Sequence, residues 1–345
     1  ASWYVTNEGT SVTIKDTLDR PLRDLRISVT DRCNFRCPYC MPKDVFGGDY
    51  GFLTRSELLT FEEITRLVRL LKGLGLRKIR LTGGEPLLRH QVHVLVEMLA
   101  QIPDLDLAMT TNGSRLAEKA ALLKESGLDR VTVSLDSLDD EIFGRMNGVG
   151  FPVENVLEGI QAADEAGLHP IKINMMVKRG INESSILPMA RHFRGTGHIL
   201  RFIEFMDVGS TNGWRMDKVV TAKEIVATIQ EEFPIEPIDP HYRGEVANRW
   251  RYKDGKGEIG VIASVTQPFC RDCTRLRLSA KGELFTCLFG VTSYNMHPLL
   301  RQKASDEEII NRVVKIWQER EDHYSEIRSS ETKSLPKVEM SYIGG

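Results

Sequence analysis

The sequence predicts an α/β fold: a parallel sheet wound by helices, open or partly closed into a barrel, followed by a smaller and less regular C-terminal part. Three observations predict it. Strand-like and helix-like segments alternate in roughly six βα units before residue 210, the pattern of parallel strands joined by crossover helices. Residues with evident chemistry cluster behind the strand-like segments, on the rim where such folds carry function. The alternation then stops, and Pro234, Pro237, Pro240 and a glycine-rich stretch at 255–260 replace it.

The elements follow in order. Residues 25–30 are a short β-rich run ending at Asp31. Residues 60–74 form an amphipathic helix that opens with a capping box, Thr60 with Glu63 three residues on. Residues 78–81 are the second strand and 92–102 the next helix. Residues 105–109 lead into Thr110-Thr111-Asn112-Gly113, and 116–126 are helical. Residues 130–135 alternate as a strand. Residues 153–166 form a helix ending at Gly167, a suitable C-cap. Strand 171–177, helix 183–193 and strand 199–206 complete the series, and 306–319 is a late helix. The residues singled out behind strands are the first cysteines, Gly83-Gly84-Glu85-Pro86, Thr110, Ser134, Lys172 and Met206. The chain divides into an N-terminal extension (1–19), a sheet-and-helix domain (20–230) and a C-terminal domain (231–345).

Length and composition narrow the function. The 345 residues can bury a large core, and 41% apolar with 27% charged residues is ordinary for a globular protein. A net charge of −2 gives no polycationic signature for nucleic acid, so any anion site must be built locally. No apolar run approaches the length of a membrane span, so no membrane partner is expected. Residues 1–19 are polar and hold no signal-peptide core; the first residue is not Met, which suggests processing or trimming. A cytoplasmic location is expected, where clustered cysteines read as metal ligands rather than disulfides.

The six cysteines fall into two trios with none left over. Cys33, Cys37 and Cys40 have three and two residues between them; Cys270, Cys273 and Cys287 have two and thirteen. Structural zinc takes four ligands and most iron–sulfur clusters four thiolates. Three thiolates on a four-iron cube leave one iron open to a small molecule. Zinc with a distant fourth ligand is the alternative, with His297 a candidate for the second trio. Gly83-Gly84 lets backbone approach a ligand closely, and the segment is neither a Walker loop nor a dinucleotide fingerprint. Arg275 and Arg277 alternate with Leu276 and Leu278, so a strand puts both guanidiniums on one face. Such a pair suits a polyphosphate; a solvated strand face is the plainer reading. The terminal Gly344-Gly345 is either a frayed tail or a segment slim enough to thread into a narrow site.

The spacing C-x3-C-x2-C, with an aromatic before the last Cys, resembles the radical S-adenosylmethionine enzymes. The ordered set is similar to their GTP-cyclising branch, which opens molybdenum cofactor biosynthesis. That set is the first trio, Gly-Gly-Glu-Pro, Thr-Thr-Asn-Gly, the run from Arg201 to Met206, the second trio with its Arg-Leu-Arg, and the terminal Gly-Gly. It runs from about Asp24 to the end; nothing is carried onto residues 1–19.

The resemblance implies an incomplete (β/α)6 barrel of triosephosphate-isomerase type, with a smaller C-terminal domain carrying a second iron–sulfur cluster. The implied cofactors are two [4Fe-4S] clusters, one on each trio, and S-adenosylmethionine. Tyr39, Gly84, Ser134 and Met206 match contacts to S-adenosylmethionine, although Ser134 also suits a helix N-cap and Met206 a core position. Arg26, Arg80, Thr110, Lys172, Arg275, Leu276 and Arg277 match contacts to GTP, with Arg201 a further candidate. Lys172 and Arg80 sit in strands, where a buried charge needs a partner such as a triphosphate. Arg275, Arg277, Gly344 and Gly345 are implied in catalysis. The implied reaction begins when a 5′-deoxyadenosyl radical removes the hydrogen at ribose C3′. The C3′ radical attacks C8 of guanine and gives 3′,8-cyclo-7,8-dihydro-GTP. The implied partners are a one-electron donor such as flavodoxin or ferredoxin, a downstream cyclic pyranopterin monophosphate synthase, and a second copy of the chain in a homodimer. The competing readings are a peptide-modifying radical enzyme with an auxiliary cluster, and a zinc-stabilised module or electron carrier.

Overall fold

The computed structural model describes residues 12–302, 304–328 and 337–344. Six strands come first: β1 (Asp24–Ser28), β2 (Lys78–Thr82), β3 (Asp106–Thr111), β4 (Arg130–Ser134), β5 (Lys172–Val177) and β6 (Ile199–Glu204). The later part adds β7 (Ile235–Ile238), β8 (Asn248–Tyr252), β9 (Glu258–Ile262), β10 (Arg275–Leu278), β11 (Glu283–Phe285) and β12 (Tyr294–Asn295). Among the described residues all twelve join one sheet in the order β12-β11-β10-β1-β2-β3-β4-β5-β6-β9-β8-β7. β1 to β6 pair in parallel and in sequence order. β10 lies parallel beside β1, and β9 parallel beside β6. The antiparallel pairs β10–β11–β12 and β9–β8–β7 form the two borders. Residues after 230 therefore extend both sides of the sheet.

Period-two alternation explains where the core lies. Leu25 and Ile27, Ile79 and Leu81, Val131 and Val133, and Leu276 and Leu278 are all fully buried on one face. They share a single apolar core with helix residues such as Leu67, Leu71, Leu95 and Ile160. Parallel strands usually read as unbroken apolar runs because helices cover both faces. Here the alternate residues are polar or cationic, among them Arg26, Arg80, Thr132 and Arg277. The second face lines a chamber instead of a core.

The helices Phe61–Gly73, Val92–Ala100, Leu116–Glu125, Val153–Glu165 and Ile186–Phe193 fall where the pattern predicts, with ends shifted by up to three residues. The Thr60–Glu63 capping box forms, with Glu63 N donating to Thr60 Oγ1 at 3.2 Å and Thr60 N to Glu63 Oε2 at 2.8 Å. Gly167 stands at φ +77° after Val153–Glu165, as its place there predicts. Among the described residues, Asp140–Asn147 and Ala222–Gln230 were not predicted, nor were the short helices His297–Arg301, Tyr324–Ile327 and Met340–Ile343. Asp140–Asn147 is capped by Asp139, and Ala222–Gln230 by a Thr221–Glu224 capping box. Among the described residues no helix is long and apolar enough to cross a membrane. Within the stretch expected as an extension, residues 12–19 pack against the body. Asp16 is buried between Arg20 and Arg320.

Lys172 and Thr110, placed behind strands, lie within them: Lys172 opens β5 and Thr110 is the last but one residue of β3. Across the sheet Lys172 pairs with Ile199, the first residue of β6, and with Thr132 in the middle of β4, away from the rim that carries the first cysteine loop.

Candidate active site

Both cysteine trios line one chamber of about 320 Å³ inside the curve of the sheet. The first trio sits on the loop after β1, and three neighbouring turns hold that loop. Arg36 donates to the carbonyls of Phe46, Cys33 and Phe35 at 2.7 Å each. Gly84 N donates to Thr30 O, and Glu85 N to Arg32 O, both at 2.8 Å. A Cβ on Gly84 would run into the Arg32 carbonyl, and one on Gly83 into the Thr30 carbonyl. The two glycines are thus required by the approach of the turn to the cysteine loop, whereas the sequence suggested approach to a ligand. Buried Glu85 accepts from Thr111 Oγ1 and Asn112 N at 2.7 Å and from Leu87 N at 3.0 Å. Burial raises its pKa to about 7. Asn112 Nδ2 in turn reaches Asn34 Oδ1 at 2.9 Å, so the Thr-Thr-Asn-Gly turn ties back to the cysteine loop.

Tyr39, Gly84, Ser134 and Met206 all face the chamber. Asp139 caps the helix after β4, so Ser134 has no capping role. The Tyr39 hydroxyl donates to Asp136 Oδ2 at 2.7 Å, and Met176 N donates to Asp136 Oδ1 at 2.9 Å. Burial lifts Asp136 to about 6.

The cations come from strand register. Arg277, Arg26 and Arg80 pair directly across β10, β1 and β2, and Arg275, Asp24 and Lys78 form an adjacent row. Residues two apart share a face, so both rows point inward. Thr110, Thr132 and Lys172 align across β3, β4 and β5. Arg80 Nη1 donates to Thr110 Oγ1 at 3.0 Å and Thr132 Oγ1 at 3.1 Å. Arg201 Nε donates to Asn174 Oδ1 at 3.0 Å. Burial, then neighbouring Arg275 and Arg80, lowers Arg26 to about 9. Burial, then Arg201 and Arg130, lowers Arg80 to about 10. Lys172 falls to about 7 through burial and then Arg201, Lys78, Arg130 and Arg80. A dry belt of like charges is costly without a counter-charge, and a polyanion supplies one.

Arg277 Nη1 donates to the Gly344 carbonyl, which brings the chain's tail to the sheet. Gly345 lies outside the described residues. Leu276 is the exception among the expected contacts. It is fully buried in the apolar core on the opposite face from Arg275 and Arg277, so its side chain does not line the chamber. Sequence reasoning missed Lys78, Asp24, Asp136 and Tyr242, all of which face the chamber, as does Glu85 of the Gly-Gly-Glu-Pro turn. Alternation offered a signal for Lys78, two residues before Arg80. Nothing comparable marked Tyr242, whose ring lies 5.4 Å from Lys78 Nζ.

The six cysteines are free thiols. Among the described residues no three of His, Cys, Asp and Glu converge on a point where one ion would sit. His297, the candidate fourth zinc ligand, is not among the residues lining the chamber. A cube spreads its thiolates over separate irons, so a trio along one wall fits it. Burial, then Glu85, lifts Cys33 to about 11; burial, then Cys40 and Cys33, lifts Cys37 far above its ordinary range. Thiols this dry and close become thiolates together only around a positive centre. Burial would also raise Cys273, yet Arg275 and Arg320 outweigh it and bring the thiol down to about 6.

Comparison with known proteins agrees with this chemistry. The profile of the "Radical SAM superfamily" matches residues 27–193, and that of "Molybdenum Cofactor Synthesis C" residues 198–326. A "GTP 3′,8-cyclase" of Acidothermus cellulolyticus is 54% identical, covering 96% of this chain and 99% of that protein. Proteins of the same name from Xanthomonas campestris pv. campestris and Staphylococcus aureus are 47% and 46% identical, each over 96% of this chain. Among solved structures, Streptococcus suis SuiB bound to S-adenosylmethionine matches with a TM-score of 0.60 at 16% identity, covering 90% of this chain and 69% of that one. That last likeness speaks to the fold alone.

Proposed function

This chain belongs to the GTP 3′,8-cyclase family of radical S-adenosylmethionine enzymes, and we infer from its chamber how its own residues serve that reaction. It converts GTP to 3′,8-cyclo-7,8-dihydro-GTP, the first step of molybdenum cofactor biosynthesis. The observation that carries the reading is that two cysteine trios and a belt of buried and half-buried cations face one chamber. Cys33, Cys37 and Cys40 would hold a [4Fe-4S] cluster, which would supply the electron that makes bound S-adenosylmethionine a source of the 5′-deoxyadenosyl radical. Tyr39, Gly84, Ser134 and Met206 hold that cofactor, and the Tyr39–Asp136 bond fixes the ring. Cys270, Cys273 and Cys287 hold a second cluster. Arg26, Arg80, Thr110, Lys172, Arg275 and Arg277 hold GTP, with Arg201 and Lys78 completing the belt. A neutral peptide would bring these cations no counter-charge beyond that of Asp24. Arg275, Arg277 and the Gly344-Gly345 tail position the guanosine, and the chamber walls limit the access of water to the radical.

The six central βα units are read as an incomplete barrel, and the segment from 231 as the domain of the second cluster. Flavodoxin or ferredoxin is proposed as electron donor, cyclic pyranopterin monophosphate synthase as the next enzyme, a homodimer as the assembly and the cytoplasm as the location. Incubating anaerobic, reduced enzyme with S-adenosylmethionine and GTP deuterated at C3′ tests the reading. The label is expected in 5′-deoxyadenosine, and its absence there while GTP is consumed would overturn the proposed abstraction site.

A further inference from the structure

The sulfurs of the two trios receive different hydrogen bonds. On the first trio, Cys33 Sγ accepts from Phe35 N at 3.4 Å and from Asn112 Nδ2 at 3.7 Å, both neutral donors. On the second, Cys273 Sγ accepts from two guanidiniums, Arg275 Nε and Arg320 Nη2, each at 3.3 Å. Cys270 Sγ accepts from Ser325 Oγ at 2.7 Å and Ser325 N at 3.2 Å, and Cys287 Sγ from Phe289 N at 3.4 Å.

These donors are fixed in place. Arg320 is 4% exposed. Its Nη1 donates to Cys273 O at 2.8 Å, its Nε to Asp322 Oδ2 at 3.2 Å, and its plane lies 4.7 Å from the Trp317 ring. Ser325 is also buried, and its Oγ accepts from Phe269 N at 3.1 Å. A hydroxyl has one proton, so with Phe269 N as donor to the oxygen that proton is left for Cys270. Arg20 clamps the same loop from behind, giving Nη1 to Cys270 O at 2.8 Å and Nε to Asp16 Oδ2 at 2.6 Å. Asp16 and Asp322 offset the charges of Arg20 and Arg320. Directed N–H and O–H dipoles therefore reach the sulfurs alongside the charges of Arg275 and Arg320.

We propose that Arg320 and Ser325 are positioning residues that donate to the Cys273 and Cys270 sulfurs and raise the reduction potential of the metal centre held by the second trio. The inference rests on the reading that this trio holds an iron–sulfur cluster. Reduction adds negative charge that spreads onto the thiolate sulfurs, so donors aimed at sulfur favour the reduced state. The first trio, with neutral and longer donors on Cys33, gains less. The chain thereby sets its two centres at different potentials with the same ligand type.

The test is a dithionite titration of the full chain, anaerobically reconstituted and followed by electron paramagnetic resonance, with iron counted on every sample. The second-trio signal is the one that S-adenosylmethionine leaves unchanged. Ser325→Ala is expected to disfavour reduction of that centre about tenfold, a drop of about 59 mV for one electron. The other centre stays put, and Ser325→Thr restores the parent value. Arg320→Lys, which keeps the charge but loses the fork, is expected to lower the same potential. A second-centre potential unmoved in Ser325→Ala, or both centres moving together, would overturn the proposal. Iron near four per parent chain rather than about eight, the content of two four-iron cubes, would instead remove the second-cluster reading and this inference with it.

Discussion

Lys172 makes GTP affinity depend on pH, and the size of the effect follows from its place at the start of β5. Its ammonium is held near 7 by burial and by Arg201, Lys78, Arg130 and Arg80, so at pH 7 about half of the free enzyme carries the proton. A triphosphate beside it restores the full charge, so binding takes up a proton. The protonated fraction falls from about 0.5 at pH 7 to about 0.01 at pH 9, and affinity should fall about fifty-fold, or about 2.3 kcal/mol. A phosphate finishes ionising near pH 6 and adds little in this window. The sign for stability is opposite. Between about 7 and 10.5 the unfolded chain binds more protons at this position, so nucleotide-free stability rises with pH while affinity falls. The assay is anaerobic titration calorimetry with GTP alone, at several pH values and in two buffers of different ionisation heat. Lys172→Arg starts about two pH units higher and should move the fall in affinity to higher pH. An affinity constant from pH 7 to 9 in the parent, or an unchanged slope in Lys172→Arg, would refute the reasoning.

Other outcomes follow from single contacts. Gly84→Ala drives a methyl into the Arg32 carbonyl; it should cost about 1–3 kcal/mol and halve the iron content by disrupting the first cysteine loop, which metal analysis and a melting curve would check. Arg80→Met should weaken GTP binding about tenfold to a hundredfold through the lost charge-assisted bonds. It should also raise the melting temperature of the nucleotide-free protein, because a buried cation without an ion pair is gone. Tyr39→Phe removes one of the two hydrogen bonds shown here on the Asp136 carboxylate. It should raise the KM for S-adenosylmethionine and lower stability by about 1–3 kcal/mol; an unchanged KM would detach Tyr39 from that site.

The central sheet was legible because its strands alternate. Leu25, Ile27, Ile79 and Leu81 announced one face, while Arg26 and Arg80 marked the other. The six cysteines were legible from spacing, because a short loop can bring three thiols to one wall. Lys172 was misplaced because alternation gives the face of a strand but not its end. Leu276 was assigned to the substrate by resemblance, although the Arg-Leu-Arg alternation already turned it to the core. The helix Ala222–Gln230 carried a readable signal, Thr221 followed by Glu224, inside a stretch taken as irregular. Asp136 left no readable signal, since its partners Met176 and Tyr39 lie 40 and 97 residues away in sequence. The pairing of β9 with β6 and of β10 with β1 was equally hidden, because register between distant segments depends on packing rather than on local pattern.

That late pairing has a consequence for how the chain is made. When the first 230 residues have left the ribosome, the outer backbone groups of β1 and β6 still await the segments that will cover them. Until residues 258–278 emerge, a nascent chain offers two bare borders to any stranger of similar shape. A stalled or truncated product should therefore clump or be degraded rather than persist as a half-working enzyme.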